Sequence, residues 1–196
     1  PHGGGGPGVG PICVTQHLAE FLPSHPLVET GGENGITSVA AAPFGSASIL
    51  PITYGYIKML GESGLRRATE TAIVQANYVA SALKGEYEVL YTGETGRVGH
   101  EAILDLRHFR KDYGTECADI AKALLDYGIH PPTMYFPLIV PEDLMVEPTE
   151  SEPKAELDRF MEALVRIKRE CEEIRDGKAD ADDNVVKMAP HTAAEG

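Results

Sequence analysis

No lysine or arginine occurs before Lys58, so the first quarter of the chain offers no basic patch to phosphate or anionic lipid. Bases are scarce throughout, 17 against 30 acids, and the formal net charge is −13. Such a surface repels polyanions, which argues against nucleic acid and membrane partners. Cysteine is sparse as well. Cys13, Cys117 and Cys171 are far apart with no CxxC spacing, which fits free thiols in a reducing compartment better than a disulfide framework. No apolar run approaches the about 18 residues of a membrane-spanning helix. The N-terminus has no charged-then-apolar leader, so no secretory signal is expected. The chain starts with Pro1-His2 rather than Met, and the expectation is a piece of something longer.

What the chain does have is enough apolar character to fold. At 42% hydrophobic and 24% charged it can offset chain entropy, which excludes disorder over the whole length. Its 196 residues suit one domain or slightly more. Composition divides it. Six of the first ten residues are glycine, and prolines recur at Pro1, Pro7, Pro11, Pro23, Pro26 and Pro43. Residues 1–45 are therefore expected to be loop-dominated, with a short helix near 15–21, unable to bury a core alone. Residues 46–62 read as a connecting helix, 63–176 as a small α+β domain, and 177–196 as a loosely held polar tail. Acid concentrates late: between Glu142 and Asp183 there are 15 acids and 7 bases.

Within the small domain, periodicity predicts a break over Gly61 to Gly64, then a helix over 64–83. Its inward stripe is Leu65, Ala68, Ala72, Ile73, Ala76, Val79, Ala80 and Leu83, and Gly85 closes it. Residues 87–91 and 101–106 read as strands, the second alternating Ala102, Leu104 and Leu106 against Glu101, Ile103 and Asp105. A helix over 115–127 is expected with Thr115 as cap and Gly128 as stop, Cys117, Ile120, Ala121, Leu124 and Leu125 facing inward. Residues 133–137 and 143–147 read as strands bent by prolines. The last helix is placed at 149–175, capped by Thr149 or Ser151, with Pro153 early and a stripe of Leu157, Phe160, Met161, Leu164, Ile167, Cys171 and Ile174. Its acidic face reads as solvent-facing charge.

The most prominent local motif is His2-Gly3-Gly4-Gly5-Gly6-Pro7-Gly8. Glycines admit positive φ and let backbone N–H groups approach an anion such as phosphate or carboxylate, although polyglycine also makes linkers. Gly3, Gly5 and Gly8 satisfy GxGxxG literally, but no strand precedes them, and GK[ST] is missing, which rejects a nucleotide P-loop. His100-Glu101 does not have HExxH spacing, so a zincin is excluded. Cys13 and His17 lack further ligands, and no metal site is expected. His130-Pro-Pro-Thr133 and Glu147-Pro-Thr149-Glu150 set polar side chains among rigid prolines at strand ends, as a cleft would. Thr149 and Glu150 are equally explained as helix caps.

PHGGGGPGVGPI, HLAEFLP, SVAAAPFGSASILPITYGYIKMLG, GLRRATETAIVQANYVASAL, YTGETGRVGHEAILDLR, DIAKALLDYGIHPPT and LMVEPTESEPKAELDRFMEAL together resemble glycine dehydrogenase (decarboxylating), the P-protein of the glycine cleavage system. The resemblance runs from Pro1 to about Pro190 and implies a C-terminal piece of that oxidoreductase. It implies the pyridoxal-phosphate (PLP) fold type I, aspartate aminotransferase-like, with residues 1–45 ending the large domain. It also implies decarboxylation of glycine and transfer of the aminomethyl group to the lipoyl arm of the H-protein, with the cofactor as electron sink. The Schiff-base lysine lies upstream of the motif, so this chain holds no catalytic lysine and is expected to be inactive alone. Residues expected to line the cofactor and lipoyl channel are His2, Gly3, Gly4, Gly5, Gly6, Pro7 and Gly8, then His100, His130, Thr133, Glu147 and Thr149. Expected partners are glycine, lipoylated H-protein, the remainder of the P-protein and a second copy or subunit. PPTMYFPLIVPEDLMVEP resembles the two-subunit form, whereas GRVGHEAILDLR and FGSASILPI resemble the single long chain. The alternative is a non-catalytic docking or dimerisation domain of a larger PLP enzyme, using apolar strips at 9–14 and 38–52. A bacterial cytoplasm fits either reading, as does a mitochondrial matrix in a eukaryote.

Overall fold

The computed structural model describes residues 7–193. Pro1, His2 and Gly3 to Gly6, and with them most of the glycine motif, lie outside the described residues. The chain forms two compact units divided between Leu65 and Arg66.

In the first unit, short 3-10 turns occur at Gln16–Phe21 and Ala47–Ile49, and the rest before helix α1 is loop. The loop is shaped by close backbone approach. The Ser24 N–H donates to the Ile36 carbonyl at 2.8 Å and the Asn34 N–H to the Glu20 carbonyl at 3.1 Å. A Cβ added at Gly32 would lie 2.3 Å from the Glu20 Cα, so only glycine fits there. No described residue of this unit is buried; Ile12, Leu27, Val39, Phe44, Ile52 and Met59 are all largely exposed. Held by few contacts, this segment opens at little free-energy cost. Subtilisin is expected to cut within 7–49 well before it cuts within 66–193. Survival of 7–49 while the second unit is nicked would contradict this.

Helix α1 spans Leu50–Ala82, with Gly61 at φ 62 and ψ −177 inside it, a conformation essentially confined to glycine. Gly61 is thus a kink that joins two helical segments, the break expected over Gly61 to Gly64. Of the stripe expected on α1, Ala76 and Val79 are buried, and so is Leu83 just beyond its end, whereas Ile73 is 42% exposed.

The second unit carries an antiparallel sheet of order β1-β2-β4-β3, with β1 Glu88–Leu90, β2 Ala102–Asp105, β3 Thr133–Met134 and β4 Asp143–Val146. In the central pair Ala102 faces Val146, Ile103 faces Met145, Leu104 faces Leu144 and Asp105 faces Asp143. Leu104, Leu144 and Val146 enter the main core. The alternation expected for β2 is not seen in burial: Ile103 and Asp105 are buried too. On the second face Ile103 and Met145 line a small cleft together with Leu90, Tyr91, Val98 and Phe136.

Helix α2, Arg107–Tyr113, is an addition to the sequence reading. Helix α3, Cys117–Asp126, starts with a reciprocal capping box between Glu116 and Asp119, so Glu116 rather than Thr115 is its cap. Thr115 is instead buried, its hydroxyl 3.6 Å from the Cys171 sulfur. Gly128 at φ 67 ends α3 as expected, with Gly128 N–H on Leu125 and Ile129 N–H on Leu124, the double bond of a left-handed C-terminus. Leu125 faces outward, 43% exposed. Helix α4 spans Lys154–Arg175 and has Pro153 as its N-cap. Its stripe Leu157, Met161, Leu164, Ile167, Cys171 and Ile174 is buried as expected, and Phe160 is partly buried against the core.

The described segment after α4, residues 176–193, is not the loosely held tail expected. Asn184 Oδ1 accepts from the Val186 and Lys187 amides, and Val186 and Ala189 are buried in the main core. The His191 ring nitrogen sits 2.7 Å from Asp126.

Candidate functional site

Strand β4 ends at Val146 and the chain leaves through Glu147-Pro148; strand β3 begins at Thr133 after His130-Pro-Pro. These two edges and the first turns of α4 enclose a cleft of about 430 Å³ lined by His130, Thr133, Glu147, Glu152, Glu156 and Arg159, with proline and apolar walls. His130, Thr133 and Glu147, read from the sequence as polar groups among prolines, are brought together here. Sequence reasoning missed Glu152, Glu156 and Arg159. The spacing of Glu156 and Arg159 signals a helical ion pair, and they form one at 2.6 Å. Arg159 also donates to the Tyr127 carbonyl at 2.6 Å, so its guanidinium ties the end of α3 to α4. The cleft is acidic, with three carboxylates and one cation already engaged.

His100 lies across the strand ends from Glu147. Its Nε2 is 3.6 Å from Glu147 Oε1 and 3.9 Å from Glu101 Oε2, all three side chains being substantially exposed. His100 lines a second, smaller cleft of about 250 Å³ with Leu90, Tyr91, Phe136 and Pro137. Met145 lines both clefts.

Thr149 caps no helix. It sits at φ 58, an outlier for a β-branched residue, and its hydroxyl accepts from the Ser151 amide at 3.2 Å. Pro7 and Gly8 are exposed in the first unit; the Gly8 carbonyl accepts from the Ser46 amide at 2.9 Å. His2 and Gly3 to Gly6 lie outside the described residues. Among the described residues no group of three His, Cys, Asp or Glu is placed to hold a metal ion, and no helix is long and apolar enough to cross a membrane.

The most perturbed acid lies elsewhere. Asp143 is fully buried, and neither carboxylate oxygen has a hydrogen-bond partner among the described residues. Burial pushes its pKa up to about 6, and the Asp105 and Glu142 charges add to it; the nearby Phe136 amide, outside hydrogen-bond geometry, offsets part of the shift. Asp105, its cross-strand neighbour, is held low by the Arg107 guanidinium, which donates to it at 2.9 and 3.0 Å. Burial also raises the Cys117 thiol to about 12 and Cys171 to about 11, so neither is a nucleophile at neutral pH. All three cysteines are free.

Helices laid on one face of a four-stranded antiparallel sheet, with an acidic proline-walled cleft at one end, define a small α+β domain. The family model for the C-terminal domain of glycine dehydrogenase matches residues 68–191, and the chain belongs to that family. It is 56% identical over 192 residues to glycine dehydrogenase (decarboxylating) of Deinococcus radiodurans, covering 98% of this chain and 20% of that protein. It is also 56% identical over 193 residues to the mitochondrial glycine dehydrogenase (decarboxylating) of Dictyostelium discoideum, covering 98% of this chain and 19% of that one. To a putative mitochondrial counterpart in Schizosaccharomyces pombe it is 52% identical, covering 97% and 18%. The chain spans about a fifth of the length of these relatives.

Proposed function

We propose that this chain is the closing portion of a glycine decarboxylase of the glycine cleavage system. The enzyme removes CO2 from glycine with pyridoxal phosphate and passes the aminomethyl group to the lipoyl arm of an H-protein. The observation that carries this is the similarity along nearly the whole chain to proteins named for that decarboxylation.

The described residues do not fit the cofactor by themselves. A dianionic phosphate would meet Glu147, Glu152 and Glu156 in the larger cleft, and the one guanidinium there is already bound to Glu156 and the Tyr127 carbonyl. The main holder of the cofactor in this reading lies outside the described residues. This chain contributes a glycine-rich segment at its start and the α+β domain. In that setting His130, Thr133, Glu147 and His100 bind or orient what enters, and the proline walls restrict water.

The absence of any buried residue across 7–65 supports a second reading, a docking or dimerisation element whose role is contact. Both readings meet one experiment. The chain alone should give no glycine-dependent CO2 exchange and, after incubation with PLP and borohydride, no stoichiometric adduct. Adding the upstream part in trans, with lipoylated H-protein, should restore exchange. A specific adduct on Lys58 or Lys84 would overturn the missing-lysine claim; a stable complex without exchange would favour the docking reading.

A further inference from the structure

Two amide side chains on α1 hold the two loops whose ends carry His100 and Glu147. Asn77 pairs with Val98 on both sides: its Nδ2 donates to the Val98 carbonyl at 2.8 Å, and its Oδ1 accepts the Val98 N–H at 3.1 Å. Val98 is two residues before His100. Gln75 Nε2 donates to the Thr149 carbonyl at 2.6 Å, and Thr149 is two residues after Glu147. The second clamp holds a β-branched residue at φ 58. Strain of this kind costs on the order of 1–3 kcal/mol and persists where surrounding structure fixes it, often at functional sites.

Neither Gln75 nor Asn77 belongs to the core, whose buried residues on α1 are Ala76 and Val79. What the clamps share is the His100–Glu147 pair at their far ends. Two carboxylates lie near Nε2 of His100, Glu147 at 3.6 Å and Glu101 at 3.9 Å, close enough to attract a cation beside the ring. Among the described residues no hydrogen bond occupies Nδ1. The imidazole and both carboxylates are between 40% and 60% exposed, open to whatever the two neighbouring clefts admit.

The geometry points to His100 as a proton acceptor for an ammonium-bearing small amino acid, with Glu147, Gln75 and Asn77 as its positioning residues. Nδ1 takes a proton from the ammonium group. The substrate N–H bond breaks, its electron pair stays on the substrate nitrogen, and a new N–H bond forms on the ring. The imidazolium charge then lies beside Glu147 and Glu101, which also attract the cationic substrate. This assignment rests on the glycine decarboxylase reading and names which residues of this chain meet glycine.

The test is a set of variants in the full-length enzyme that contains this chain. His100→Ala should lower kcat/KM for glycine about 100-fold or more, and added imidazole should restore part of it. Asn77→Ala and Gln75→Ala should each lose about tenfold through misplacement, and should cost nothing further in the His100→Ala background, because they act through that ring. His100 is exposed, so its variant keeps the fold. If Asn77→Ala unfolds the enzyme, Gln75→Ala carries the cycle. A His100→Ala enzyme within about threefold of wild type, additive losses, or no rescue by imidazole would overturn the assignment. Wild-type enzyme inert toward glycine would sink the decarboxylase reading, and this assignment with it.

Discussion

Phe109→Ala is expected to destabilise the second unit by about 3–5 kcal/mol, the cost of emptying a fully buried aromatic site. Phe109 is completely buried. It stacks on Tyr87 with ring centroids 5.5 Å apart and meets Tyr113 edge-on at 5.0 Å, contacts that add about 0.5–1.5 kcal/mol per pair beyond area burial. Tyr87 in turn donates its hydroxyl to the Leu164 carbonyl of α4 at 2.7 Å. Removing the ring therefore loosens the joint between α2, the sheet and α4 rather than one contact. Against a total stability of roughly 5–15 kcal/mol for an ordinary domain, such a loss leaves a large unfolded fraction at 37 °C. Urea unfolding followed by circular dichroism reads it. Phe109→Leu, which keeps much of the volume, should recover about half of the loss. A loss below about 1 kcal/mol for the alanine variant would show that the site collapses without cost.

The second large effect has the opposite sign and depends on pH. In the unfolded chain Asp143 ionises near 3.8; in the fold it does so at about 6. Below the lower value both states are protonated and nothing is lost. Between the two, the fold holds a proton that the unfolded chain has released, so stability falls as pH rises. Above about 6 the fold carries an ionised, unpartnered carboxylate, a penalty of about 3 kcal/mol. Asp143→Asn removes the ionisation with little change of shape. It should be about 2–3 kcal/mol more stable than wild type at pH 8 and nearly equal to it at pH 4. Chemical denaturation at both pH values checks this. No gain at pH 8 would mean that the carboxylate finds a partner in solution, and a gain independent of pH would mean that ionisation of Asp143 is not its source.

The larger elements were legible because their burial follows the helical period over many residues. Leu157 to Ile174 and Cys117 to Leu124 announce α4 and α3 directly. Helix α2 escaped because Arg107–Tyr113 is short, mostly charged, and preceded by Leu106, which makes no side-chain cap. The cap of α4 was misplaced for a related reason. Thr149 is the residue type that caps helices, but its left-handed backbone turns the chain before the helix, which begins after Pro153. On β2, alternation predicted one solvated face. Segments distant in sequence cover that face, and no local pattern encodes them. The cleft was partly legible, since prolines around His130, Thr133 and Glu147 implied rigid walls. Gln75 and Asn77 were not: their partners lie 74 and 21 residues away, and an amide on a helix surface looks like solvent-facing polarity until the fold closes.

Val186 and Ala189 also set an order of events during synthesis. Chains fold from the N-terminus as they leave the ribosome, yet the core around Leu104, Phe109 and Leu164 includes these two late residues. Until Ala189 has cleared the exit tunnel, α3 and α4 can assemble only around an open side. Nascent α+β domain thus waits, incompletely sealed, while the last dozen or so of its core-bearing codons are translated. In the cell that interval is when apolar surface from this domain is available to chaperones, and a stop anywhere before the codon for Val186 would make the exposure permanent.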